Sequence, residues 1–293
     1  MILAAIPAYN EEVAIGTVVL RTKRHVDQVF VVDDGSYDKT AMIAELAGAS
    51  VFRFKENQGK GIALRYAFLH AKEIGADIVV CLDGDGQHNP DEIPRLLTPI
   101  LSGNADMVIG SRFLNIQSDI PRYRRAGQTI LTSLTNSITT TKVTDSQSGF
   151  RAFSKKAIET ISLDEKGIGI ESYMQRSADD SGLKIAEVPI TCRYDLEHAS
   201  KMGSVHHGFS VVNTLLKIVE ERRPLFFFGS IGLGLVIVGV TMGIWVVEVF
   251  SRTREFAIGT SLIGIMLIIL GILSMYTGVM LHAIAQIVHR IGK

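Results

Sequence analysis

Short apolar runs alternate with amphipathic stretches over the first ~110 residues, and this alternation predicts a parallel, doubly wound sheet flanked by helices. The apolar runs at residues 2–6, 29–32, 51–54, 78–82 and 107–109 read as strands, and residues 12–22, 39–47, 61–74 and 91–101 as helices. Beyond Pro121 the pattern becomes polar and basic. It predicts a helix over 126–140, a turn at Ser148-Gly149-Phe150-Arg151 and a strand over 185–191. Residues 205–223 place Val211, Val212, Leu215, Leu216 and Val219 at helical spacing, with Lys217, Glu220 and Glu221 off that stripe. Such a helix suits the headgroup plane of a bilayer; packing on a core is the alternative.

The C-terminal pattern is different in kind. Residues 225–247 and 256–281 carry no charged side chain, and each run exceeds the roughly 20 residues that cross a bilayer core as helix. The expected organisation is an α/β domain over 1–204, an amphipathic helix over 205–224 and a transmembrane hairpin over 225–293. Lys217, Arg222 and Arg223 stand before the first span, and Arg290 and Lys293 follow the second. The positive-inside rule therefore puts both termini and the α/β domain in the cytoplasm, against a smaller contribution from Arg252 and Arg254 in the short outer loop. Met1–Ala8 runs directly into Tyr9-Asn10-Glu11-Glu12 without a basic leader, so no signal peptide is expected. Gly229, Gly232, Gly234, Gly239 and Gly243 suit helix-on-helix packing, within the hairpin or between copies in a homo-oligomer.

Composition adds little to this. The 30 Lys and Arg balance the 30 Asp and Glu, so nothing points to a nucleic-acid partner. Cys81 lies in a predicted core strand and Cys192 ends another, and both read as reduced structural thiols.

The candidate chemistry lies at strand ends. Asp83-Gly84-Asp85-Gly86-Gln87 follows the run 78–82, and Asp33-Asp34-Gly35-Ser36 follows the run 29–32. Carboxylates one residue apart at the carboxyl edge of an open α/β sheet offer hard oxygen ligands where such sheets bind ligands. Together the two pairs suggest a metal-assisted nucleotide site. An EF-hand is excluded, because the sixth loop position would be His88 where glycine is needed. After the first strand stands Pro7-Ala8-Tyr9-Asn10-Glu11-Glu12 in place of a Gly-x-Gly-x-x-Gly turn, which argues against a nicotinamide cofactor.

These motifs, with Asn57-Gln58-Gly59-Lys60-Gly61, Gly110-Ser111-Arg112 and Ser148-Gly149-Phe150-Arg151, occur in an order that resembles family 2 glycosyltransferases of the GT-A fold. Within that family the chain looks like the polyprenyl-phosphate hexosyltransferases typified by dolichyl-phosphate mannose synthase, over about residues 1–205. The resemblance implies inverting transfer of a hexose from a UDP- or GDP-sugar to dolichyl or another polyprenyl phosphate, making a lipid-linked donor for glycan or glycoprotein assembly. It assigns Pro7, Tyr9, Glu11, Asp33 and Asp34 to the base and ribose pocket. Asp83, Asp85 and Gln87 become ligands of Mg²⁺ or Mn²⁺ bridging the donor diphosphate. Lys60 falls among the donor contacts. Arg112, and Arg124 or Arg125 with Thr129, would cradle the lipid phosphate, with Arg151, Ser200 and Lys201 as further phosphate contacts. The family's late Arg-x-x-Gly-x-Ser-Lys motif reads Asp195-Leu196-Glu197-His198-Ala199-Ser200-Lys201, so only its last two residues match. Arg193 stands two residues upstream of it as a substitute for the missing arginine.

A phosphate acceptor fits these residues chemically. A phosphate monoester is largely dianionic at neutral pH and needs no general base, whereas a sugar hydroxyl would. It does need cations, and arginine offers bidentate contact; a solvated basic face is the alternative reading of Arg122. Glu171 reads either as structural or as the base of a hydroxyl-acceptor relative. A processive polysaccharide synthase would carry a Gln-x-x-Arg-Trp motif, but the single tryptophan, Trp245, lies within a span. The remaining rivals are a non-catalytic nucleotide-sugar receptor and a transferase that places an aminosugar on a bacterial lipid phosphate, which differs only in substrate.

Overall fold

Strand β1 (Ile2–Ala8) sends Leu3 and Ala5 into one apolar layer and Ala4 and Ile6 into the other. Successive side chains of a strand point to opposite faces, so a strand covered by helices on both sides must be apolar throughout. The computed structural model describes residues 1–114, 122–163, 169–193 and 224–291, and the chain divides into one unit over 1–215 and a second over 216–293.

In the first unit, β1 pairs in parallel with β2 (Gln28–Asp33) and β4 (Ile78–Cys81), and β3 (Ser50–Arg53) extends the sheet beyond β2. Helices α1 (Ile15–Thr22), α2 (Thr40–Leu46), α3 (Lys60–Glu73) and α4 (Ile93–Leu101) connect these strands and lead into β5 (Met107–Ser111). Ile15, Val18, Val19, Ile93 and Leu96 pack on one sheet face, and Ala63, Leu64, Ala67 and Phe68 on the other. Full burial of a side chain such as Ile15, Ile93 or Leu96 contributes about 1.5–3 kcal/mol each.

The second half of the unit departs from a purely parallel sheet. The seven strands run β3-β2-β1-β4-β6-β5-β7, with β6 (Arg151–Ser154) inserted antiparallel between β4 and β5 and with β7 (Ile185–Pro189) parallel to β5. Arg151, expected in a turn, instead opens β6 opposite both Cys81 and Ile109. Since β6 runs backwards, the residues leading into it cross the carboxyl edge of β4 and β5. That edge is where the acidic motif and Arg112 stand. Helices α5 (Arg122–Ile138), α6 (Lys155–Thr160) and α7 (Ile170–Asp180) complete the unit. α5 is fastened by hydroxyl groups: Thr135 Oγ1 donates to Ser172 Oγ at 3.0 Å, and Ser146 Oγ donates to Thr132 Oγ1 at 3.2 Å.

The second unit contains α8 (Pro224–Thr253) and α9 (Ile258–Ile291). Stretches of 29 and 26 residues, with mean hydropathy 2.2 and 2.4, are long and apolar enough to cross a membrane. Two glycine pairs let the helices meet backbone to backbone. A Cβ on Gly232 would lie 2.5 Å from the Gly271 carbonyl oxygen, and one on Gly239 would lie 2.6 Å from that of Gly264. Ser274 Oγ donates across the pair to the Phe228 carbonyl at 2.9 Å. The expected amphipathic helix over 205–224 lies outside the described residues, apart from Pro224 at the start of α8.

Candidate active site

The carboxyl edge collects acidic residues from β1 and β4 and cations from α3, β5 and α5. Asp83 follows β4 after the buried Leu82, and Lys60, the first residue of α3, places its Nζ 2.6 Å from Asp83 Oδ1 and 2.8 Å from Glu171 Oε1. Burial pulls the Lys60 pKa down, but the two carboxylates hold it above its usual range. Asp83 is the converse case: burial raises its pKa, Lys60 outweighs that, and the group stays below the ordinary carboxylate value. Gly149 lies against this pair, since a Cβ there would come within 2.8 Å of Asp83 Oδ2 and 3.0 Å of Lys60 Nζ.

Asp85 accepts from its neighbour Gln87 N at 2.9 Å, and burial together with the Asp83 charge raises its pKa to about 6. Glu11, just past β1, is pushed up to about 7 by burial and then by Asp85, Asp83 and Asp38. Negative charge here exceeds what Lys60 compensates. Among the described residues, no group of three or more His, Cys, Asp or Glu side chains could hold a metal ion by itself. Asp83 and Asp85 do fit a divalent cation shared with substrate phosphates, the mode in which Mg²⁺ takes one or two carboxylates. The loop is clamped from behind, where Arg193 N donates to the Gln87 carbonyl at 2.9 Å and His88 forms an antiparallel bridge with Cys192. His88 packs on Phe150 with ring centroids 5.3 Å apart, and burial lowers its pKa to about 4.

The residues expected at the nucleotide pocket stand along the rim beside β1 and β2. Tyr9 is exposed and meets the Tyr37 ring edge-on at 6.2 Å. Asn10, at φ 56°, joins the two strand ends: its N–H donates to Ser36 Oγ at 2.9 Å and its Oδ1 accepts from Tyr37 N at 3.1 Å. Asp33 and Asp34, expected as ligand contacts, are buried and engaged by the protein. Asp33 Oδ2 lies 3.1 Å from Arg53 Nε, while Asp34 accepts from Gln58 N at 2.7 Å and Gly59 N at 2.8 Å. Asp34 shapes the loop ahead of α3 from within, and burial raises its pKa. Pro7 lies in β1, its carbonyl beneath Gly84.

On the other side of the edge, Arg112 follows β5 and is only 8% exposed. Its Nε donates to Asp145 Oδ2 at 2.7 Å and its Nη2 to Asp145 Oδ1 at 2.8 Å, a bidentate pair that fixes the guanidinium plane. Glu187 of β7 steadies this arrangement by accepting from Thr144 N at 2.7 Å and Asp145 N at 3.1 Å. Arg125, exposed near the start of α5, and Arg112 each place Cζ 5.9 Å from the centroid of the Phe113 ring. Thr129, one turn further along α5, turns its hydroxyl back to the Arg125 carbonyl at 2.9 Å. The Arg124 side chain, Ser200 and Lys201 lie outside the described residues.

Arg151 departs from expectation. It is fully buried, and its guanidinium donates to the carbonyls of Ser148 at 2.8 Å, Glu171 at 2.6 Å and Ser146 at 2.7 Å. Desolvation lowers its pKa to about 10. It braces the crossing loop against α7 and has no surface to offer a phosphate. Asp145 and Phe113, which the sequence reading did not single out, are central to the cationic side. Their one signal is position: Asp145 opens the polar run into Ser148-Gly149-Phe150-Arg151, and Phe113 follows Gly110-Ser111-Arg112.

A model of glycosyl transferase family 2 matches residues 4–162. The chain belongs to that family. It is a glycosyltransferase, with the GT-A-like sheet expected of one. It is 34% identical over 240 residues to the UDP-N-acetylglucosamine–dolichyl-phosphate N-acetylglucosaminyltransferase of Methanococcus voltae, covering 74% of this chain and 96% of that protein. It is 31% identical over 279 residues to glycosyltransferase AglJ of Haloferax volcanii, covering 92% of this chain and 90% of that one. Glucosyl-3-phosphoglycerate synthase from Mycobacterium tuberculosis, solved with Mn²⁺, UDP and phosphoglyceric acid, superposes with a TM-score of 0.57 at 25% identity, covering 74% of this chain and 78% of that chain.

Proposed function

We propose that this glycosyltransferase moves one hexose from a nucleotide-sugar to a polyprenyl phosphate, inverting the anomeric carbon, on the cytoplasmic side of a membrane that its C-terminal helices span. The observation that carries the reading is the meeting of two charge sets at one sheet edge: Asp83, Asp85 and Glu11 on the donor side, Arg112 and Arg125 around Phe113 on the other. The Methanococcus voltae relative, named for transfer to dolichyl phosphate, supports the acceptor class. Two membrane-length helices in the same chain support a lipid.

In this reading Tyr9 lies beside the nucleotide base and Lys60 holds Asp83 in place. Asp83 and Asp85, with Gln87, would hold Mg²⁺ or Mn²⁺, as the Mn²⁺ in the mycobacterial neighbour suggests. When bound, the cation would offset negative charge on the leaving nucleoside diphosphate. Arg112, aligned by Asp145, and Arg125 hold the acceptor phosphate. A phosphate oxygen attacks the anomeric carbon, the bond to the diphosphate oxygen breaks, and the nucleoside diphosphate departs with that electron pair. No base is required, because the acceptor oxygen is already ionised. Glu171 is accordingly left to pair with Lys60.

The test is to incubate the detergent-solubilised chain with Mg²⁺, polyprenyl phosphate and, separately, labelled UDP-glucose, UDP-N-acetylglucosamine and GDP-mannose. Label entering the organic phase from one donor supports the reading and names the sugar. Donor hydrolysis with no lipid product refutes it.

A further inference from the structure

We propose that Phe113 is a positioning residue for the acceptor phosphate: its ring is the shared contact of the guanidinium groups of Arg112 and Arg125 and sets where each of them stands. Arg112 comes from the end of β5 and Arg125 from the first turns of α5, yet both Cζ atoms lie 5.9 Å from this one ring centroid. Two like charges do not gather without compensation. Asp145 compensates Arg112 on the buried side. The aromatic face attracts cations through its quadrupole, and this attraction differs usefully from that of a carboxylate. A carboxylate partner occupies in-plane N–H donors of a guanidinium, as Asp145 does with Nε and Nη2 of Arg112, whereas a ring face approached by Arg125 leaves the donors of that guanidinium to phosphate oxygens.

The backbone that carries the ring is held in place. Phe113 N donates to Ser111 Oγ at 3.2 Å, and Ser111 Oγ lies 2.6 Å from Thr144 Oγ1, which donates to Glu187 Oε1 at 2.9 Å. The same Glu187 accepts from Asp145 N. One carboxylate thus ties together the backbone of Phe113 and the partner of Arg112. Arg125, by contrast, is exposed on a helix fastened by hydroxyl contacts, so the ring gives it a fixed reference.

This inference rests on the lipid-phosphate reading above, and the experiment separates the two. Binding of polyprenyl phosphate to the full chain in detergent is measured without donor, and turnover is measured separately for wild type, F113A, F113L, F113W and R125A. F113L keeps an apolar side chain but removes the quadrupole, so it decides the matter if F113A fails to fold. The expected result is a loss of roughly 5- to 30-fold in affinity and in acceptor KM for F113A and F113L, with donor KM unchanged and F113W close to wild type. In the R125A background, F113L should cost clearly less than it does alone. Wild-type affinity in F113L, or equal losses for donor and acceptor, would overturn the inference. If wild type binds the lipid phosphate but transfers no sugar to it, the functional reading fails while the binding series still tests Phe113.

Discussion

Lys60 Nζ bridges Asp83 Oδ1 at 2.6 Å and Glu171 Oε1 at 2.8 Å, joining the start of α3, the end of β4 and the first turn of α7 through one ammonium. The bridge closes over Gly149, where any side chain would enter the space of both partners. Gly149→Ala is therefore expected to displace Asp83 and reduce kcat at least tenfold, with the far-UV circular dichroism spectrum unchanged. Turnover within twofold of wild type would show that Asp83 tolerates the displacement.

The buried Arg112–Asp145 pair predicts a sharp asymmetry. Removing one partner leaves a charge uncompensated in a buried place, typically at about 3–5 kcal/mol, whereas removing both is far milder. Asp145→Ala should therefore lower thermal stability more than the Arg112→Ala, Asp145→Ala double variant does. Calorimetry of the three proteins checks this. Arg112→Leu should raise acceptor KM while leaving donor KM near wild type.

The acidic cluster predicts a pH dependence. An acid whose folded pKa is raised disfavours the folded state as pH climbs from its unfolded value, and Glu11 moves from 4.5 to about 7, through burial first and then the charges of Asp85, Asp83 and Asp38. Its contribution to stability without divalent cation should thus decline between pH 4.5 and about 7. Asp85→Asn should flatten that decline, as should Glu11→Gln, in melting curves recorded across the range. Asp85→Asn should also abolish turnover while the protein still folds. Added Mn²⁺ with nucleoside diphosphate should raise the melting temperature of wild type and not of Asp85→Asn.

The hairpin supplies its own control. Gly232→Leu or Gly239→Leu would force a side chain into the carbonyl of the facing helix, while a Cβ on Gly234 meets nothing within 4 Å. The first two should lower the unfolding temperature in detergent by several degrees. Gly234→Leu should leave it unchanged, unless that face meets another copy of the chain.

The parallel half of the fold was legible because strands buried on both faces announce themselves as apolar runs, and each was bounded by turn residues. β6 was hidden for a physical reason: it is four residues long and opens with a buried arginine. Arg151 reads as a ligand contact in sequence and is a brace in space, because carbonyl acceptors leave no trace in side-chain identity. Asp33 and Asp34 are ambiguous in sequence, since a carboxylate that organises the backbone and one that binds a ligand share a signature. Arg112 was legible as a candidate, but its partner Asp145 lies 33 residues away and only the antiparallel turn into β6 brings it close. Phe113 carried only its place after Gly110-Ser111-Arg112 as a signal, because what distinguishes it is the convergence of two cations from different elements.

Release of nucleoside diphosphate shows whether the acceptor is a lipid phosphate. The full chain in detergent, with its preferred nucleotide-sugar and Mg²⁺, is given polyprenyl phosphate in one reaction and polyprenol in another. Release is expected only with the phosphate, stopping at one nucleoside diphosphate per lipid. Equal release with polyprenol, or several sugars added to each lipid, would contradict it.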